Sequence, residues 1–468
     1  MTMRDTLITG ARLLSMDPAI GDLPDTDILI QDGRIARIAP GIDAPAAQRI
    51  DAAGNLVLPG LVNAHIHTWE TALRGIGGNW AGLDYFNYFH GRLAPLYTPE
   101  DTYLGTLAGA LSQIDAGVTT IFDWCHNNST PAHTDAAIDA LRASGIRAVF
   151  GHGTVKPKPR PGERHFSQIP HPVAEIRRLR AGPLSDDDAL VTLAMAILGP
   201  DYSTLDVCRH DFRAAMEFGL LSSAHAWGRP GRLVPGGYRT LAAEGLLAGR
   251  HNVVHGNYFD DDELRVLVDH GASATATPGV EMQFHVRRPL SGRVRAAGGI
   301  PSIGVDSEVG NKGDMFDLMR TTLLVERMYA NQDAFAALEH RPAGGAAIGT
   351  GGSPIEKTPV RTREVLEWAT VGNAAALGMS DRIGTLSPGK QADLIMIERS
   401  RLHILSAQDP AQAVVSYVQP DDVSMVMIGG GIAKEHGVLR RADRLEQLRP
   451  ALLASADRLL RESAVPIV

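Results

Sequence analysis

Apolar positions in the first sixty residues alternate with polar ones in short bursts, the period of half-buried strands. TLITGARLLSM, TDILIQDGRIARIAP and AAGNLVLPG carry this alternation over residues 6–58, broken by Asp-Gly and Ala-Gly turns. Gln31-Asp32-Gly33-Arg34 reads as a tight hairpin. The same texture returns near the other end, in KQADLIMI (390–397) and VSMVMIGGGIAKEHGV (423–438). Between the two lies a different rhythm. Continuous apolar runs of strand length occur at 118–124, 146–153, 190–199, 220–228, 252–256, 272–279 and 300–306, each closing on polar or Gly-rich residues. Helical windows at 101–116, 133–144, 260–270, 314–329 and 362–377 separate them.

Strands buried on both faces and alternating with helices predict an α/β fold, here a TIM-like (β/α)₈ barrel with units of about 31 residues. Strands at both chain ends predict a small β-sandwich built from both termini. The expected domains are therefore 1–58 with 391–440 for the sandwich, 59–390 for the barrel, and 441–468 for a helical tail. Two segments read as long loops: 154–172, with five prolines, and 341–359, which holds RPAGGAAIGTGGSP. The second lacks the Gly-Lys-Ser/Thr ending of a phosphate loop and no strand feeds it.

Charge and composition narrow the partners. The net charge of −8 comes without a basic run, which argues against nucleic acid. No apolar stretch reaches the length of about 18 residues that spans a bilayer. The first residues lack a signal-peptide pattern, and two cysteines make no disulfide framework. A cytoplasmic protein acting on a small molecule is expected.

The chemistry starts at Pro59-Gly60-Leu61-Val62-Asn63-Ala64-His65-Ile66-His67. Residues two apart on a strand face the same side, so His65 and His67 project together at the mouth of the first barrel strand. Two imidazoles aimed at one point suit a transition metal.

The motif resembles the first metal-binding strand of the amidohydrolase superfamily, in the subgroup holding cytosine and guanine deaminases, triazine hydrolases, and molinate- and phenylurea-type hydrolases. The resemblance extends over LITGARLLSMD, DILIQDGRIARI and ATVGNAAALGMSDRIGTLSPGKQADLIMI. It implies His225 in LLSSAHAWG as the fifth-strand histidine, His255 in NVVHGNYF as the sixth-strand histidine, and Asp306 in IPSIGVDSE as the eighth-strand aspartate. His255 follows His225 by one barrel unit and Asp306 follows His255 by about two, in agreement. By this resemblance His65, His67, His225 and Asp306 hold one divalent transition metal: Zn²⁺ foremost, with Fe²⁺, Mn²⁺ or Co²⁺ also suited. Asp306 and His255 are the catalytic pair. A second metal would need a fourth-strand lysine, and LVTLAMAILGPDYS has none. A homodimer or larger homo-oligomer is expected by the same analogy.

One position departs from the subgroup. Its deaminases carry a proton-shuttling glutamate three residues after the fifth-strand histidine, where this chain has Gly228. The expected function is thus metal-dependent hydrolysis of an amide, urea, carbamate-type or ring C–N bond. Deamination of a nucleobase-like or triazine-like ring is the alternative, and a non-catalytic binding barrel a remote one. Glu70, Glu281 and Glu308 are candidates for the missing carboxyl. Trp69, Trp124 and Trp227 could wall a flat substrate, and His126 or His152 could touch it. Asp123 reads as structural.

Overall fold

The computed structural model describes residues 4–247, 250–285, 287–339 and 358–466. The Gly-rich segment read as a second loop falls outside these residues through position 357. Eight parallel strands form the central sheet: β1 (Leu61–Ile66), β2 (Val118–Cys125), β3 (Arg147–His152), β4 (Val191–Ile197), β5 (Ser222–Ala226), β6 (His251–His255), β7 (Ser273–Ala276) and β8 (Pro301–Ile303). Each pairs with its sequence neighbour. Nearly every residue on them is buried, because helices cover the outside and side chains fill the inside.

The ring closes between β1 and β8 by a parallel bridge from Ile66 to Asp306. Asp306 N–H donates to the His65 carbonyl (2.8 Å) and His67 N–H to the Asp306 carbonyl (3.0 Å). Two amides stitch the rest of this short seam. Asn63 accepts from Val305 N–H (3.1 Å), and Asn373 bonds both the N–H (2.8 Å) and the carbonyl (2.9 Å) of Ile303. Asn373 also donates to the Val62 carbonyl. The segment Thr362–Ala376 thus does more than cover the barrel: it supplies backbone partners that β8 is too short to find in β1.

The small domain joins both ends of the chain. Thr6–Leu14, Asp22–Gln31, Arg34–Ala39, Gln48–Asp51 and Leu56–Pro59 meet Leu394–Ile397, Val423–Ile428, Gly431–Glu435 and Val438–Leu439 in one nine-stranded mixed sheet. The junction is the antiparallel pair Leu56–Pro59 with Leu394–Ile397. Ile8, Leu13, Ile28, Ile35, Val57, Leu394, Met425 and Met427 form its own core. In the hairpin, Asp32 (φ 48°) and Gly33 (φ 74°) take the two left-handed positions that a two-residue turn requires.

A buried ion pair ties this sheet to the barrel. Arg147, opening β3, bonds both oxygens of Asp393 (2.7 and 3.1 Å), and Gly429 N–H donates to the same carboxylate (2.6 Å). Both side chains are under 5% exposed. Asp393→Ala leaves the guanidinium buried without its anion. It is expected to lower unfolding stability by about 3–5 kcal/mol, read from denaturant midpoints. A loss under about 1 kcal/mol would show that the pair is dispensable.

Outside the strands the hydrophobic pattern predicts the helix Ala442–Ser463 but not Val173–Ala181 or Leu205–Glu217. The wide π-helical segment Tyr85–Leu93, whose Tyr85, Phe86 and His90 line the barrel mouth, likewise has no signature in the sequence. No described helix is long and apolar enough to cross a membrane.

Candidate metal centre and substrate pocket

The C-terminal ends of β1, β5 and β8 bring His65, His67, His225 and Asp306 together, with one ligand atom from each inside 4.8 Å of all the others. His65 Nε2 lies 3.2 Å from Asp306 Oδ1 and 3.2 Å from His225 Nε2; His67 Nε2 lies 3.1 Å from Asp306 Oδ1. All four residues are buried. His67 gives its Nδ1 proton to the Trp124 carbonyl (2.6 Å), which fixes the tautomer whose Nε2 lone pair faces the cluster. Burial depresses His65 to about 4 against the opposing pull of Asp306, and it drives His225 well below the ordinary histidine range. Neutral imidazoles are what a metal requires. Burial alone would push the Asp306 carboxyl up, but the His65 and His67 rings against it hold it well below its usual value. Burial likewise opposes charge on His67, yet Asp306 and Glu70 leave that ring above its usual value.

His255 stands beside this group. Its Nε2 is 3.9 Å from Asp306 Oδ2. Behind it, Nδ1 bonds Thr277 Oγ1 (3.0 Å), whose hydroxyl in turn reaches Glu281 Oε1 (3.3 Å). The indole of Trp227 stacks on the His255 ring at 3.7 Å and 4°. His255 (φ 78°) and Asp306 (φ 70°) both hold left-handed backbone, a conformation costly for residues other than glycine. Both strained residues sit at the reacting end of the barrel.

Gly228 explains the departure from the deaminase pattern. Its φ is 72°, and a Cβ built there would lie 2.6 Å from the Phe259 ring and 2.8 Å from Phe259 N. A glutamate cannot occupy this backbone without moving the β6 loop. Trp227 fills that side of the pocket instead, its N–H donating to Tyr202 OH (3.0 Å).

The remaining sequence candidates divide. Trp227 and His126 line the pocket, whereas Trp69, Trp124, Glu70, Glu281 and Glu308 do not. Trp69 and Trp124 are enclosed in packing below it. Glu281 is spent on Thr277 N–H (2.7 Å), Thr277 Oγ1 and Asn257 (3.1 Å), and so supports His255 from behind. Glu308 is clamped by Thr71 (2.5 Å) and Arg74 (2.9 Å). Glu70 accepts from Tyr85 OH (2.6 Å) and Ser307 Oγ (2.5 Å), and burial raises its carboxyl to about 7. His152 pairs with His171 (3.0 Å) away from the site. Asp123, on β2, accepts from Thr68 N–H (3.1 Å) and Oγ1 (2.7 Å) and does not line the pocket.

Glu70, His90 and His126 form a second group close enough to hold a cation. Trp69 Nε1–H, which can only donate, bonds His126 Nδ1 (3.1 Å). The neutral ring's proton is then on Nε2, so His126 offers an N–H to the pocket rather than a lone pair. Tyr85, His90, Lys156, Tyr202, Arg229 and His285 also line the pocket and were absent from the sequence reading. Tyr202 ends the short helix Gly199–Tyr202, and the others sit on loops, at a helix end or on the π-helical segment, where no periodicity marks them.

Comparison with known proteins gives one family and several full-length likenesses. The profile of the amidohydrolase family matches residues 56–433. A 5-methylthioadenosine/S-adenosylhomocysteine deaminase of Symbiobacterium thermophilum is 26% identical over 98% of this chain and 100% of its own. An adenosine deaminase structure from Xanthomonas campestris with bound zinc superposes with a TM-score of 0.79 at 21% identity, covering 97% of this chain and 98% of the other. An atrazine chlorohydrolase from Arthrobacter aurescens complexed with zinc gives 0.78 at 21%, covering 96% and 100%.

Proposed function

The chain belongs to the amidohydrolase family, and from that premise we propose that it hydrolyses a C–N bond of a small molecule with a water activated by one metal ion held at His65, His67, His225 and Asp306. The observation that carries this reading is the convergence of those four ligand atoms within 4.8 Å at the barrel mouth, beside His255. The buried donor set of three histidines and one carboxylate fits a divalent transition metal, with zinc the foremost candidate.

A cation bound there supplies Lewis acidity that makes hydroxide accessible from water near neutral pH. Asp306 has Oδ1 turned to His65 and His67, which leaves Oδ2 to accept the water's proton and pass it to the leaving nitrogen. His255, held by Thr277 and Glu281 and pressed against Trp227, is placed to stabilise charge developing on the substrate oxygen. His126 Nε2–H is a second donor on the pocket wall. Trp227, Tyr202, Phe284 and Val280 give that wall an apolar, largely aromatic surface.

The relatives' names favour a second reading, release of ammonia from a purine-like ring. That chemistry needs a ring nitrogen protonated during attack, and position 228 cannot provide the acid. Glu70 is the carboxyl left for the task, and both its oxygens are engaged. A screen of the metal-loaded protein that records ammonia and organic amine separately tests the choice. Amide, urea or carbamate C–N bonds are expected to turn over at least about 10²-fold faster than cytosine, guanine or adenosine, the lower value of a positioned acid–base group. Efficient ammonia release from those three would overturn the preference.

A further inference from the structure

The charges facing the pocket are unbalanced. Its charged lining residues among those described are Asp306, Lys156 and Arg229, and Asp306 is already turned to two histidines. The chain as a whole carries a net charge of −8, so this positive lining runs against the protein's average.

Lys156 is the unusual member. It enters from the Pro-rich loop after β3, and its Nζ lies over two aromatic faces, 5.7 Å from the Trp124 ring centre and 5.2 Å from that of Tyr202. Among the described residues it has neither a hydrogen bond nor a carboxylate partner. The acid whose charge it feels is Glu70, whose oxygens already accept hydrogen bonds from Tyr85 and Ser307. Burial brings its ammonium down to about 8, which still leaves it charged at neutral pH.

Tyr202 connects Lys156 to the rest of the wall. Its hydroxyl accepts from Trp227 Nε1, and Arg229 lies 5.2 Å from the centre of the Trp227 ring. Arg229 also has no carboxylate partner among the described residues; it donates to His285 Nδ1 (3.0 Å). Tyr202 and Trp227 are thus joined by a hydrogen bond, with Lys156 over the first ring and Arg229 over the second. A half-buried ammonium with cation–π contacts alone retains unmet donors, and a carboxylate is the partner that satisfies them.

We propose that Lys156 is a specificity-determining residue that binds a carboxylate carried by the substrate, with Arg229 reinforcing the field at the outer end of the wall. The substrate class is then a flat, carboxylate-bearing amide, ureide or heterocycle, not a neutral nucleobase. A single lysine suits one carboxylate, whereas a phosphate is ordinarily met by several donors or a backbone nest. The proposal rests on the reading of this pocket as the hydrolytic site.

Benzoate and benzamide, equal in shape and different in charge, are suitable probes, with binding to the metal-loaded protein followed by calorimetric or NMR titration. Benzoate is expected to bind about tenfold more tightly than benzamide, the lower end for a hydrogen bond to a charged group. K156M removes this preference and leaves benzamide unchanged; K156R restores most of it. Chelated wild-type protein keeps it. A preference that survives K156M but disappears on chelation would show that the metal takes the carboxylate, and would overturn the proposal. Equal binding of both probes by the wild-type protein, or no binding of either at millimolar concentration, would overturn it as well. A Lys156-dependent preference in a protein that hydrolyses nothing would instead refute the hydrolase reading and leave the anion site standing.

Discussion

His225→Ala is expected to strip the metal from the purified protein and to lower kcat/KM by about 10³-fold or more. The wild-type chain should carry about one divalent ion, since His65, His67, His225 and Asp306 form one cluster, while in the second group the Trp69 N–H already occupies His126 Nδ1. His225 supplies the donor from β5 that faces the pair from β1, with its Nε2 3.2 Å from that of His65. Removing it opens one side of the coordination shell to water and lets the ion leave. The activity lost is the several kcal/mol that a Lewis acid contributes to charge stabilisation, at about 1.36 kcal/mol per decade. Folding should survive, because His225 ends its strand and faces the cavity rather than the core between sheet and helices. Metal analysis by mass spectrometry, circular dichroism and turnover on one substrate complete the test. His65→Ala should behave alike. Full metal occupancy in both variants would remove these residues from the ligand set.

How much of this centre was readable from sequence depended on where each residue sits. Seven of the eight barrel strands coincide with continuous apolar runs, and the first with the Pro59–His67 motif, since a parallel strand covered on both faces must be largely apolar. His65, His67, His225 and Asp306 end such strands, so their spacing follows the barrel's own period. The lining of the pocket obeys no such rule. Tyr85 and His90 come from a π-helical segment whose aromatic spacing matches neither helix nor strand. Lys156 lies in a stretch that reads only as a proline-rich loop. Glu281 and Glu308 looked like pocket acids because they follow strand ends. Which way they point was settled by Thr277 and by Arg74, partners that sequence position alone does not reveal. Gly228 is the converse case: the missing glutamate was evident in the sequence, but the Phe259 backbone that excludes any side chain there was not.

His255→Asn should separate catalysis from metal binding. The residue stands outside the four-ligand cluster, with Nε2 3.9 Å from Asp306 Oδ2 and Nδ1 committed to Thr277. An interaction realised as charge develops lowers kcat and kcat/KM together when removed. A positioned group of this kind is worth about 10²–10⁴-fold. Metal content should remain near the wild-type value. Asparagine is the better first variant because His255 holds φ 78°, a left-handed conformation that asparagine tolerates and alanine does not. His255→Ala would add backbone strain to the loss of the imidazole and confuse the two. Glu281→Gln probes the same ring from behind: its carboxylate lies 3.5 Å from Nδ1 and accepts from Thr277, so it positions His255 without touching the reacting atoms. Its effect should therefore be smaller than that of His255→Asn and fall on kcat, with metal retained. If His255→Asn lost metal as fully as His225→Ala, His255 would be a ligand, and the charge-stabilising role assigned to it would have to pass to His126.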